Sequence, residues 1–177
     1  MLRRTLAFVL VAVAIGLAVP ARADAPSKTR VRELLSGIEE IPPRAVWRAL
    51  GPETLGVLIE LYNDASEPGF VRLRAVVVAG HFPNEACRTF LRAVATAPGQ
   101  SDLFARNAVL ALGRGFGVRA LEELGSYLRH REPLVRQAAV RSLGEIATPA
   151  ARSLLEGRMR LERDDVVRES LLRALRR

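Results

Sequence analysis

Along most of the chain, small and apolar residues return at every fourth position for two or three turns, stop at a glycine, and start again one repeat later. Four such phrases align on Val71, Ala75, Ala79 and Gly80; Phe104, Ala108, Leu112 and Gly113; Val135, Ala139, Leu143 and Gly144; and Val167, Leu171, Leu175 and Arg176. Their starts lie 33, 31 and 32 positions apart, and a weaker copy, PPRAVWRALG, ends at Gly51, 29 before Gly80. A step of four keeps side chains on one stripe of a helix, so each phrase predicts an amphipathic helix. The glycine behind it stands where a left-handed residue would end that helix.

A second helical pattern precedes or follows each phrase: PETLGVLIELYND, PNEACRTFLRAVAT, GVRALEELGSYLRH and TPAARSLLEGRMR. Pro52, Pro83 and Pro149 are expected in first turns, where a missing N–H costs nothing. The units are helix, turn, helix, at about 28–50, 52–80, 83–113, 117–145 and 148–176. One helix pair cannot bury its stripe alone, so the units must stack. The expected fold is all-α, an α-solenoid of about five antiparallel helix pairs forming one domain over 24–177. NDASEPGF, residues 63–70, is the longest interruption and is expected to be a flexible loop. GRGFG, residues 113–117, is expected to be a helix stop and turn, because it lacks the spacing and the lysine of a phosphate loop.

Val135-Arg136 through Leu143-Gly144 closely matches D-x-x-x-x-V-R-x-x-A-x-x-A-L-G. On that match the units resemble HEAT repeats, in particular the short type named after phycobilisome lyases, from about Lys28 to Arg177. The resemblance implies an inner, concave layer made of the second helices. It also implies that the Arg after the apolar residue pairs with an upstream acid and with neighbouring loops. Arg72, Arg136 and Arg168 hold that place, with Asp64, Glu132 and Asp164 as candidate acids; the third copy has Ala105 there and Arg106 one position later.

The first residues change the picture of where the protein works. Arg3 and Arg4 precede an uncharged run from Thr5 to Ala21, and Ala21 and Ala23 form an A-x-A site. This is the plan of a secretory signal peptide over 1–23, cleaved after Ala23 or, alternatively, after Ala25. An uncleaved membrane anchor is the competing reading, the run being at the lower limit for a spanning helix. Cleavage removes Arg3, Arg4 and Arg22 and takes the formal net charge from +8 to +5. The expected location is periplasmic or secreted, with no stable membrane anchor once the leader is gone. Of 27 basic residues only Lys28 is lysine, and aromatics make up 5% of the chain, so the core must be Ala, Leu and Val. Cys87 is the single cysteine, which rules out an intramolecular disulfide and suits a small buried residue.

Candidate chemistry is sparse. His81 and His130 belong to no H-E-x-x-H or paired His-Glu motif, whereas helical-repeat hydroxylases resembling this architecture hold iron through His-Glu pairs. The doublets Glu39-Glu40, Glu122-Glu123 and Asp164-Asp165 diverge by about 100° on a helix and do not converge on one substrate atom. No catalytic, cofactor or metal residues are therefore assigned, and the chain is expected not to be an enzyme. With an inner layer of second helices, the positions two and six residues after each aligned start project away from the buried stripe. These are Leu73 and Val77, Arg106 and Leu110, Gln137 and Arg141, and Glu169 and Arg173, apolar in the earlier part and mainly basic in the later. Such a strip suits a protein partner with an apolar anchor and an acidic segment. The competing reading is that Val77 and Leu110 pack between repeats while Arg141 and Arg173 are merely solvated. Trp47 either seals the end of the core or touches a partner. Basic charge without an aromatic platform gives no case for nucleic acid. The function expected is an exported, non-catalytic protein–protein interaction scaffold or adaptor. A lyase-like, chromophore-handling repeat factor is the alternative, from which export separates this chain.

Overall fold

Polar residues open the helices. Ser27, Asn84, Ser101, Thr148 and Asp164 each accept a backbone N–H of the following turn, because the first amides of a helix have no intrahelical acceptor. The structure is a computed structural model that describes residues 26–37, 41–99 and 101–176. The predicted leader, its cleavage sites and the Glu39-Glu40 doublet lie outside the described residues. The described helices are α1 (Lys28–Ser36), α2 (Arg44–Ala49), α3 (Thr54–Asn63), α4 (Gly69–Ala79), α5 (Glu85–Thr96), α6 (Asp102–Phe116), α7 (Leu121–Tyr127), α8 (Pro133–Ile146), α9 (Pro149–Met159) and α10 (Asp165–Leu175). A 3-10 turn, Gly117–Ala120, joins α6 to α7, and no strand occurs among the described residues.

Helices α4, α6, α8 and α10 lie side by side as one layer, and α3, α5, α7 and α9 each back onto their own partner. The fold is thus a helical solenoid, with the core running between the two layers. Turns of five residues close three of these four pairs, at 64–68, 128–132 and 160–164. The NDASEPGF stretch is therefore an ordinary turn, and it is pinned: Asp64 takes Lys28 at 2.9 Å and the amide and hydroxyl of Ser66, while Glu67 takes Arg32 at 2.9 Å. GRGFG ends a helix as expected, at its last residue: Gly117 caps α6 with φ 53°. Helix α6 runs through Gly113 and Gly115 to Phe116 and tightens into the 3-10 turn.

Gly51 follows α2 in left-handed backbone as the sequence predicts, but the other repeated glycines have a different role. Gly80 is right-handed, and Gly113 and Gly144 sit inside α6 and α8. A Cβ on Gly80 would stand 2.8 Å from the carbonyl oxygen of Ala111, one on Gly144 2.9 Å from Cβ of Ala174, and one on Gly113 would collide with Cβ of Ser142 at 2.5 Å. Each glycine therefore admits the next inner helix, bringing helix backbones close as small residues do. The contacts pair corresponding ends, and Gln137 on α8 likewise donates to Ser170 Oγ on α10 at 3.0 Å, so the inner helices run parallel. Left-handed backbone occurs at Gly51, Gly99 and Gly117, and at Ala147, which ends α8 with φ 52°. A Cβ costs about 1–2 kcal/mol there. Replacing Ala147 by Gly is expected to raise the melting temperature by roughly 2–4 °C per kcal/mol recovered, measured by circular dichroism.

At the N-terminal end the register changes. Helix α1 packs on α3 and α4, burying Val31 and Leu35. Arg74 of α4 donates to the carbonyls of Leu35 and Gly37, so α1 runs beside α4. Trp47 on short α2 is fully buried and donates its Nε1 to Pro42 O at 2.8 Å, which seals this end of the core. Cys87 is buried on α5 against the carbonyl of Ala79, and burial pushes its thiol up to about 12. Pro149 opens α9 and Pro133 opens α8 as first-turn residues, whereas Pro83 precedes the Asn84 cap and Pro52 precedes α3.

The arginine ladder exists, with partners other than the predicted acids. Arg72 donates to Tyr62 O at 2.8 Å and its guanidinium lies over the rings of Tyr62 and Phe104. Arg136 donates to His130 O and Arg131 O, and Arg168 to Glu162 O at 2.9 Å. Arg136 and Arg168 tie down the turn before their own helix, and Arg72 holds the last turn of α3. Asp64 pairs with Lys28, Glu132 lies against Arg131, and Asp164 caps α10. The acid that does meet the ladder is Glu162, which takes Arg136 on both oxygens at 2.9 and 3.0 Å and Arg158 at 2.7 Å.

Candidate functional site: an arginine-lined groove on the inner layer

Inner helices touch their neighbours extensively along the row, while among the outer helices α7 and α9 touch only slightly. A stack tighter on one side than the other curves toward the tight side, so the exposed stripe of α4, α6, α8 and α10 faces the concave surface. A groove of about 320 Å³ crosses α6, α8 and α10 there. Five of the eight sequence-predicted positions line it: Arg106, Leu110, Gln137, Arg141 and Arg173. Glu169 stands beside it, bonded to Arg173. Leu73 and Val77 are half-buried on α4, away from the groove.

Leu110 is a correction in part. It is only 5% exposed and belongs to the core between repeats, presenting just an edge to the groove floor. A 100° step places it opposite the buried stripe, but the close approach of α8 through Gly113 covers that side too.

The arginines of the groove differ from the ladder arginines. Arg141 Nε meets Glu145 Oε1 at 2.9 Å across an i,i+4 step, and Arg173 meets Glu169 in the same way. Both pairs are about half-exposed. Exposed pairs of this kind contribute only about 0.3–0.5 kcal/mol, so an incoming carboxylate displaces them at little cost. Arg106 has no hydrogen bond or ion pair among the described residues; its shift by one position out of the ladder register frees it to reach the groove. Its neighbour Ala105 is buried where the other copies carry their ladder arginine. The lining thus carries three guanidiniums and one carboxylate, Glu145. The polar bond from Gln137 to Ser170 bridges the α8–α10 step of the floor.

Sequence reasoning missed one further feature of this face. The residue just before each aligned start is apolar in all four copies, and each is exposed: Phe70 51%, Leu103 44%, Leu134 46% and Val166 58%. The signal was present in the sequence as the same repeat period, one position upstream.

The two histidines lie in different repeats. His130 accepts the amide of Glu132 on Nδ1, and His81 is pushed below its usual range by burial and by Arg44, Arg114 and Arg48. Among the described residues no group of three or more His, Cys, Asp or Glu is placed to hold a metal ion. No described helix is long and apolar enough to cross a membrane.

Stacked parallel helices with an open, charged concave face define a helical-repeat protein of the kind that serves as a protein-interaction scaffold. Residues 91–176 match the family model for HEAT repeats. Among solved structures, human deoxyhypusine hydroxylase in complex with glycerol is similar at 30% identity and a TM-score of 0.56, over 69% of this chain and 42% of that one. The chain thus spans less than half the length of that enzyme. No curated protein matches it in sequence. The likeness corrects the expectation that the chain is not an enzyme, since a relative at this identity is one. Missing His-Glu pairs speak only to one kind of site, and a repeat stack carries whatever site is grafted onto it. The neighbour is a hydroxylase, and so lends no weight to a lyase-like, chromophore-handling role.

Proposed function

We propose that this chain is an exported protein-interaction scaffold whose concave groove captures an acidic segment of a partner protein. The observation that carries this reading is the division of labour among arginines. Arg72, Arg136 and Arg168 are committed to backbone carbonyls of the preceding helix end or turn, while Arg106, Arg141 and Arg173 converge on the groove, bound weakly or not at all. Export rests on the basic start, apolar run and A-x-A site of residues 1–23.

The test is affinity capture from the native envelope fraction with wild type and an Arg106→Glu/Arg141→Glu/Arg173→Glu variant. Captured partner is expected to fall at least tenfold, with the helical circular-dichroism signal unchanged because all three side chains lie outside the core. Undiminished capture by the variant contradicts the reading. Sequencing of the mature N-terminus tests export: a start at Asp24 or Pro26 supports it, and a start at Met1 opposes it.

A further inference from the structure

Phe70, Leu103, Leu134 and Val166 stand at the N-terminal ends of four parallel, adjacent helices, one per repeat, all about half-exposed. Single exposed apolar residues are ordinary. Four in structural register along one edge of a concave face form a row. On the same stripe, Arg106 lies one turn beyond Leu103, and Arg141 and Arg173 lie two turns beyond Leu134 and Val166. On α6, α8 and α10 the face therefore sets a cationic position beside an apolar one, whereas α4 carries only apolar Leu73 and Val77 beyond Phe70.

The spacing of that repeat selects the shape of an occupant. Packed helices sit about 8–10 Å apart. A polyproline-II segment has three residues per turn and rises about 3.1 Å for each, so every third side chain returns to the same face after about 9 Å. A β-strand alternates faces every residue, so its third residue points away.

Resting on the proposed capture of an acidic segment, we propose that the segment is bound in polyproline-II form across the inner helices. It carries an apolar residue at every third position on the Phe70–Leu103–Leu134–Val166 row and carboxylates facing Arg106, Arg141 and Arg173. Charge complementarity decides the occupant's sign, since the groove lining has three guanidiniums against the one carboxylate of Glu145. The absence of backbone hydrogen bonds within such a segment leaves its amides solvated, which suits a face with no strand edge to pair with.

The experiment uses fluorescein-labelled peptides of five Leu-Asp-Pro triplets, a shuffled peptide of the same composition, and an Asn-for-Asp version, titrated by anisotropy against the full chain. The triplet peptide is expected to bind at least tenfold tighter than the shuffled one. Leu103→Asp/Leu134→Asp should abolish that advantage, and the Asn version should bind weakly to every form. Equal binding of triplet and shuffled peptides, both lost in the Arg106→Glu/Arg141→Glu variant, overturns the three-residue register while sparing acidic capture. No binding by either acidic peptide overturns both. If sedimentation shows wild type to be a dimer that Leu103→Asp/Leu134→Asp dissociates, the row is an interface between copies and the proposal fails.

Discussion

Replacing Glu162 by Ala is expected to cost about 3–5 kcal/mol, the usual penalty for removing one partner of a buried ion pair. The side chain is 1% exposed, and those of Arg136 and Arg158 are 11% and 16% exposed. Its carboxylate takes four guanidinium bonds and the amides of Arg163 and Asp164 at 3.0 Å. Without it, two buried guanidiniums face each other across the last turn of the array. At about 2–4 °C per kcal/mol for a chain of this size, the melting temperature should fall by roughly 10 °C in a calorimetric or circular-dichroism scan. A triple exchange, Glu162→Leu with Arg136→Met and Arg158→Met, should recover much of the loss, because apolar replacement of a whole buried ionic cluster is often neutral.

The same group sets an acid limit. Burial pushes the Glu162 carboxyl up, but Arg136, the Asp164 amide, Arg158 and the Arg163 amide outweigh it and hold it at about 2 against an ordinary 4.5. A depressed carboxylate contributes stability that is complete above its unfolded value and lost as pH falls through the folded one. Stability should therefore decline between about pH 4.5 and 2, and Glu162→Gln should flatten that part of the profile. An unchanged acid limb in Glu162→Gln would place the loss elsewhere.

The second large effect is expected at Gly113. Valine there puts a Cβ into Cβ and Oγ of Ser142 on the facing helix. The hydroxyl can rotate aside, but Cβ of Ser142 is fixed to its backbone, so α6 and α8 must separate. Overpacking costs about 1–3 kcal/mol and occasionally more, and two helices sharing a long contact put this case at about 3 kcal/mol. The diagnostic comparison is Gly113→Ala alone and together with Ser142→Gly, which removes the obstructing atoms. A double variant more stable than the sum of the two single changes, by chemical denaturation, identifies the direct contact; simple additivity would refute it.

The period and the helices were legible in the sequence because apolar spacing alone encodes a helical stripe, and the predicted inner helices are α4, α6, α8 and α10. The packing role of Gly80, Gly113 and Gly144 was not legible. A glycine at the end of an apolar phrase reads the same whether it turns the chain or admits a neighbour, and only the placement of Ser142 opposite Gly113 decides. The acid of the ladder escaped for a similar reason. In LERDD, Glu162, Asp164 and Asp165 are all within reach of the turn, and the one with the longer side chain folds inward while Asp164 caps α10. The N-terminal register was hidden because Val31 and Leu35 lie 40 positions before Val71 and Ala75, outside the period of the other copies. On the groove, the outward positions of α8 and α10 followed from the 100° step, whereas Leu110 depended on how near α8 comes.

The inner face of α6, α8 and α10 is the surface expected to meet an acidic ligand. Amide chemical shifts of the uniformly labelled chain, followed during titration with a glutamate-rich peptide, should move within 103–110, 137–145 and 166–174 and stay still on the outer helices α3, α5, α7 and α9. Shifts centred on those outer helices, or none at saturating peptide, would contradict it.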